Sequence, residues 1–235
     1  AVLLSTYNGE KFLGEQLDSL LAQSHKNFIL VVRDDGSRDR TVSILESYAG
    51  DHPERIHLLS CDGVNMGASA SFAFLADYVL KSKEFLGLKS IYMMFCDQDD
   101  IWYPQKIEKL LSAMLATEAD NGSTLPIIVH SDLEVVSEQN TVIAKSLISY
   151  QGLEIERNSF PNLVISNLVT GCTALINEPL AEKALPIPEK AIMHDWWLAL
   201  VATAFGKLVY LDIPLVHYRQ HGNNTIGAKE FTKVS

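Results

Sequence analysis

No Gly-x-x-x-x-Gly-Lys-Ser/Thr loop occurs anywhere in the 235 residues, which excludes a P-loop ATPase or kinase of that kind. No Gly-x-Gly-x-x-Gly follows the first apolar run, so a dinucleotide-dependent oxidoreductase falls away too. A Gly-x-Ser-x-Gly elbow and a His-Glu-x-x-His helix are both missing. Cysteine is scarce. Cys61, Cys96 and Cys172 lie far apart with no Cys-x-x-Cys pair, which argues against a zinc site or disulfide framework and suits a reducing cytoplasm. Positive charge is also short: 19 Lys and Arg stand against 29 Asp and Glu, a formal charge of −10. Nucleic acid is therefore not an expected partner. No apolar stretch approaches the roughly 18 residues that span a bilayer. The longest, Trp196 to Phe205, is broken only by Thr203 and reads as a buried helix. Ala1 opens straight into an apolar strand, and no signal peptide is expected. The expected setting is cytoplasmic, with peripheral association at the inner face of the membrane left open.

What is present begins with rhythm. Val2-Leu3-Leu4, Phe28 to Val32, Ile56 to Leu59 and Ile91 to Phe95 read as strands. Between them, Leu13, Leu17, Leu20 and Leu21, then Val42, Ile44, Leu45 and Tyr48, then Phe72, Leu75, Ala76 and Val79 recur at helical spacing. A further helix is expected from Pro104, a residue favoured in the first turn. Near-continuous apolar strands alternating with helices predict an α/β chain, with a mostly parallel central sheet and helices on both faces. After Ile127-Ile128-Val129 the rhythm changes. Residues 134–170 look polar and irregular apart from Thr141 to Ala144. Thr173 to Ile176, a helix over roughly 193–205, and two late strands around Val209 and Val216 complete the expectation of one domain.

In such sheets ligands bind beyond the carboxyl ends of the strands. The four strands run into Ser5-Thr6-Tyr7-Asn8-Gly9, Asp34-Asp35-Gly36-Ser37, Asp62-Gly63-Val64-Asn65-Met66-Gly67 and Asp97-Gln98-Asp99-Asp100. Together they predict one polar crevice. Gly36 and Ser37 suit a simple turn, but two adjacent carboxylates exceed what a turn needs. Asn65-Met66-Gly67 reads equally as a helix cap or a nucleotide contact. Three carboxylates within residues 97–100 repel one another and call for a counter-charge. A divalent cation carrying a nucleoside diphosphate would supply it, since hard cations take oxygen ligands and share them with phosphates.

In the second half, His194-Asp195-Trp196-Trp197 opens the apolar helix. A first-turn carboxylate there is ordinary, yet beside two tryptophans partial desolvation would raise its pKa toward a general base's range. Arg219-Gln220-His221-Gly222-Asn223-Asn224 ends the last strand. It reads either as a surface turn or as a phosphate clamp from Arg219 with a metal or phosphate contact from His221.

These motifs, in this order and over most of the chain, resemble the inverting family 2 glycosyltransferases of GT-A fold. Asp97-Gln98-Asp99-Asp100-Ile101-Trp102, Gly171-Cys172-Thr173 and Arg219 to Asn224 are similar to a bacterial rhamnosyltransferase-like subtype of surface-polysaccharide synthesis. The resemblance implies roles. Thr6, Tyr7 and Asn8 cradle the nucleotide; Asp34 and Asp35 bind base and ribose; Asn65 and Asp97 also contact the nucleotide. Asp97 and Asp99 hold Mg²⁺ or Mn²⁺, and Asp195 is the catalytic base. Gly171, His194, Trp196, Arg219 and His221 are carried over as diphosphate or acceptor contacts. Many members have Glu-Asp where this chain has His194-Asp195. Residues 1–100 become the nucleotide-binding half and 101–235 the acceptor and base half. The implied partners are a nucleotide-sugar donor, dTDP-rhamnose first, and a saccharide or lipid-linked saccharide acceptor. Two rivals share the layout. A sugar-nucleotide pyrophosphorylase should carry a Gly-rich, basic loop after the first strand, where Thr6 to Gly14 offers only Lys11. A non-catalytic nucleotide-sugar or glycan-binding module should lack one of Asp97, Asp99 and Asp195.

Overall fold

Alternate residues of the opening strand face different layers, and that alternation organises the molecule. The computed structural model describes residues 1–60, 63–222 and 227–230. Cys61, Asp62, Asn223 and Asn224 lie outside the described residues. In β1 (Val2–Thr6), Val2 and Leu4 enter one apolar layer and Leu3 the other, the two-residue period of a strand buried on both faces. The first layer is covered by α1 (Leu13–Leu21), α2 (Thr41–Asp51) and α4 (Lys106–Asn121). The second is covered by α3 (Ala68–Lys81), α7 (Glu178–Ala184) and α8 (His194–Phe205). Leu13, Leu17 and Leu20 are buried at the spacing of one helix face, so α1 is held by packing rather than by a side-chain cap, which it lacks.

The remaining strands are β2 (Leu30–Asp34), β3 (Ile56–Leu58), β4 (Tyr92–Cys96), β5 (Ile101–Trp102), β6 (Ile127–Val136), β7 (Val142–Ala144), β8 (Ala174–Asn177) and β9 (Lys207–Arg219). They form one sheet in the order β3-β2-β1-β4-β8-β6-β9-β5, with β7 beside β6. The expected parallel pairing holds for β3-β2-β1-β4 and for β6 with β9. From β4 onward the sheet is mixed, because β8 runs antiparallel to both its neighbours and β5 to β9. The chain leaves β1 in one direction through β2 and β3, then returns to place β4 on the other side. Thr6 and Asp97 therefore end up side by side at the point where the strand order reverses, where doubly wound sheets open a crevice.

Two expectations need correction. The polar stretch from 134 is not irregular at its start. Leu133, Val135 and Val136 are fully buried and extend β6 along β9, and two short helices follow, α5 (Leu147–Gln151) and α6 (Phe160–Ile165). The two late strands are one. β9 pairs Leu211 with Ser131 and then Pro214 with Asp132, an irregularity that accommodates a proline without ending the strand. Among the described residues no helix is long and apolar enough to cross a membrane.

The turn between α8 and β9 has no slack. A Cβ on Gly206 would stand 1.8 Å from the carbonyl oxygen of Pro126, which accepts the Lys207 N–H at 2.9 Å. Gly206→Ala should destabilise the fold by roughly 1–3 kcal/mol, the usual cost of overpacking. A urea midpoint equal to the parent's would contradict this contact.

Candidate active site

A cavity of about 600 Å³ opens at the reversal point, within the range of small-molecule sites. Its floor comes from the β1 end (Ser5, Thr6, Tyr7), Asp35, Asn65 and the acidic loop Asp97-Gln98-Asp99. Gly171, His194, Asp195 and Trp196 form its opposite wall. The two halves of the chain thus face each other across one space.

The acidic loop is held from several sides. Tyr7 N–H donates to Gln98 Oε1 at 2.8 Å, and Gln98 Nε2 donates to the Tyr7 carbonyl at 2.9 Å, tying the loop to β1. Asp100 is fully buried. Its Oδ1 accepts the Arg219 N–H at 3.2 Å, and burial with the charges of Asp99 and Asp97 pushes its carboxyl well above the usual range. Burial first, then Asp99 and Asp195, pushes Asp97 up to about 7. Lys106 supplies the nearby cationic group. It is itself fully buried, and burial lowers it to about 7. Its amino group lies 3.1 Å from the centroid of the Trp102 ring and donates to the Cys172 carbonyl. Sequence reasoning missed Lys106; a lone lysine four residues after Trp102 and just before the apolar face of a helix was the available signal.

Asp195 sits in the first turn of α8 and is 8% exposed. Oδ2 accepts the Gly171 N–H at 2.8 Å; Oδ1 accepts the Trp196 N–H at 2.6 Å and the Asn167 amide at 3.5 Å. Burial wins over those hydrogen bonds and raises its pKa to about 6, where a carboxylate makes an effective base. Asn167 also escaped the sequence reading, since nothing in its own neighbourhood marks it. His194 is clamped between Phe72 and Phe95, with ring centroids 4.5 and 4.9 Å away. Burial lowers its pKa to about 3, so the imidazole is neutral, and neither ring nitrogen has a hydrogen-bond partner among the described residues.

With this geometry in view, comparisons with known proteins are decisive. Residues 1–182 match the model of Glycosyl transferase family 2. The dTDP-rhamnosyl transferase RfbG of Shigella flexneri is 30% identical over 234 residues, covering 96% of this chain and 74% of that protein. The chain belongs to glycosyl transferase family 2. A putative teichuronic acid biosynthesis glycosyltransferase of Bacillus subtilis, TuaG, is 27% identical over 93% of this chain and 89% of its own length. Two solved structures share the GT-A fold at 17% identity. S. aureus TarS 1-349 in complex with UDP-GlcNAc superposes with a TM-score of 0.64 over 95% of this chain and 59% of that one. The mannosyltransferase PcManGT of Pyrobaculum calidifontis, in complex with GDP-Man and Mn²⁺, does so with 0.62 over 90% and 54%. The chain therefore spans little more than half of either solved relative.

Within this family 2 chain the expected site residues divide. Thr6, Tyr7, Asp35, Asn65, Asp97, Asp99, Gly171, His194, Asp195 and Trp196 line the cavity. Gly67, at φ +80°, takes the N-cap position of α3 without a side-chain cap, so Asn65 is not the cap. Asp34 is not among the lining residues. It is 2% exposed and accepts from Thr6 Oγ1, Gly36 N–H, Ser37 N–H and Ser37 Oγ, the bonding of a turn rather than of a ribose contact. Asn8, expected in the nucleotide cradle, instead closes the neighbouring loop: its N–H meets Ser37 Oγ and its Oδ1 takes the Arg38 N–H, each within 2.9 Å. Asp35 lines the cavity but already pairs with Arg33 and accepts from Met66 and Gly67 N–H at 2.8 Å.

Arg219 also departs from expectation. It is 2% exposed, does not line the cavity, and stacks 4.7 Å from the Phe12 ring centroid. Its guanidinium donates to the carbonyls of Asp99 (2.9 Å) and Glu138 (2.7 Å) and pairs with Glu15. It braces the acidic loop rather than lining the cavity. His221 does reach the loop, with Nε2 2.7 Å from Asp99 Oδ2. Arg219→Ala should lower stability by roughly 1.5–3 kcal/mol, the worth of a charge-assisted bond to buried acceptors. Denaturation without nucleotide checks this; a variant as stable as the parent would restore Arg219 to a ligand role.

Proposed function

We propose that this chain is the catalytic region of an inverting, metal-dependent hexosyltransferase of cell-surface polysaccharide synthesis. It moves a sugar from a nucleoside-diphosphate donor to a hydroxyl of a saccharide or lipid-linked saccharide. The carrying observation is that Asp97, Asp99 and Asp195 line the same cavity. The name of RfbG makes dTDP-rhamnose the first donor to try, and a cytoplasmic site of action, open to peripheral contact with the inner face of the membrane, belongs to the same proposal. Residues 1–100 bind the nucleotide; residues 101–235 carry the base and receive the acceptor.

The residues suit a hard divalent cation. Asp97, Asp100 and Cys172 offer ligand atoms within 4.8 Å of one another, but burial holds the Cys172 thiol protonated, which leaves oxygen donors as the natural set. We assign Mg²⁺ or Mn²⁺ to Asp97 and Asp99, with His221 beside Asp99 as a further ligand. Such an ion would offset negative charge on the departing diphosphate.

Asp195 takes the proton of the acceptor hydroxyl while that oxygen attacks the anomeric carbon. The bond from that carbon to the diphosphate oxygen breaks, and its electron pair leaves with the nucleotide. One displacement inverts the centre. The Gly171 N–H and the Asn167 amide keep the carboxylate aimed, and His194, neutral and dry, adds no charge that would compete for the proton.

Asp195 must be ionised to accept a proton, so transfer should rise with pH through about 6 and then level. Asp195→Asn should abolish transfer and spare donor binding; near-normal turnover would remove Asp195 from this role. Asp99→Ala should weaken Mn²⁺-dependent binding of the nucleoside diphosphate by titration calorimetry, and unchanged binding would remove the metal assignment.

A further inference from the structure

Between the acidic loop and the base lies a group that neither half of the mechanism uses. Lys106, the first residue of α4, is completely buried, although an ammonium is among the costliest groups to take from water. Its hydrophobic stem and the Trp102 face explain part of its tolerance. Among the described residues, its hydrogen bond does not go to a carboxylate. It goes to the backbone carbonyl of Cys172.

That carbonyl belongs to a single 3₁₀ turn, Gly171–Thr173. The turn is closed on its other side by Thr173, whose N–H and Oγ1 both donate to the Thr170 carbonyl, at 2.9 and 2.7 Å. It leads directly into β8, in the middle of the sheet. Gly171, at its start, presents the N–H that holds Asp195 Oδ2. There is no room for error at that glycine: a Cβ would come within 2.9 Å of His194 Nε2 and 3.5 Å of Asp195 Oδ2. Lys106 therefore grips the far end of the same turn whose near end aims the carboxylate. Its other electrostatic neighbours are Cys96, Asp100 and Asp97.

We propose that Lys106 is a positioning residue for transfer: by fixing the 171–173 turn from below, it sets the Gly171 N–H and hence the orientation of Asp195 relative to the metal-binding wall. The inference rests on the function proposed above. It assigns to one buried side chain the spacing between donor and acceptor sites, and reacting groups misplaced by an ångström lose much of their rate.

The test compares Lys106→Met, which keeps the stem but cannot donate, with Lys106→Gln, which keeps a donor. Transfer kinetics and the affinity for nucleoside diphosphate with Mn²⁺ are measured on each folded variant of the protein. Lys106→Met should lower kcat roughly 10- to 100-fold while leaving nucleotide–Mn²⁺ affinity within about threefold, and Lys106→Gln should recover part of the loss. An unchanged kcat in Lys106→Met overturns the proposal. So does a loss confined to nucleotide–Mn²⁺ affinity, which would make Lys106 a counter-charge only, or a Gln variant no better than Met. Should Lys106→Met not fold, Trp102→Phe, which thins the ring beneath the amino group, must show the same split at smaller size; a kcat equal to the parent's there overturns the proposal as well. A parent protein that transfers from none of the candidate donors would instead sink the proposed function, and this inference with it.

Discussion

Carboxylates that repel one another are crowded at the one place in the sheet where the strand order reverses, and much of the surrounding structure works to keep them there. Asp97, Asp99 and Asp195 line a common space, and Asp100 is buried directly behind the first two. Backbone and buried cations oppose their repulsion. Gln98 ties the loop to β1, Arg219 supports it from behind, and Lys106 lies beneath it. The residual negative charge is what makes the cavity receptive to a cation with a phosphate-bearing partner, and unattractive to a bare polyanion.

The two sides of the cavity obtain their properties by different means. Beside the acidic loop, burial and then mutual repulsion push Asp97 up to about 7. Across from it, burial alone raises Asp195, while the Trp196 and Gly171 N–H bonds moderate the shift and the Asn167 amide helps hold the side chain. The neighbouring imidazole contributes shape without charge, wedged between two phenylalanine rings. A carboxylate at position 194 would have added a second negative charge to this wall; this chain has none there.

Much of this was legible in the sequence, because strand ends in a doubly wound sheet announce themselves. Ser5 to Gly9 and Asp97 to Asp100 follow apolar runs directly, and the reversal of strand order does the rest. What stayed hidden depends on partners distant in the chain. Asp34 and Asp35 look alike as a pair of carboxylates, yet one is bonded by its own turn and by Thr6 of β1, and the other by Arg33 and the start of α3. Only folding decides which of two neighbours lines the cavity. Arg219 looked like a phosphate clamp because its local motif is polar; its role is set by carbonyls about 120 and 81 residues away. The long partnership of β6 with β9 was invisible because Pro214 and the polar residues near Asp132 break the alternation on which strand recognition relies.

β9 joins the two walls mechanically. It starts at the tight corner below the helix that presents Asp195 and finishes at the arginine that backs the acidic loop. Side chains along a strand change face with every residue, so a single inserted residue would rotate that arginine away from its carbonyl acceptors while leaving the helix untouched. The strand therefore acts as a fixed-length gauge between the acidic loop and the helix that carries Asp195, and variation in chain length is better tolerated in the connections around α5 and α6 than along this rod.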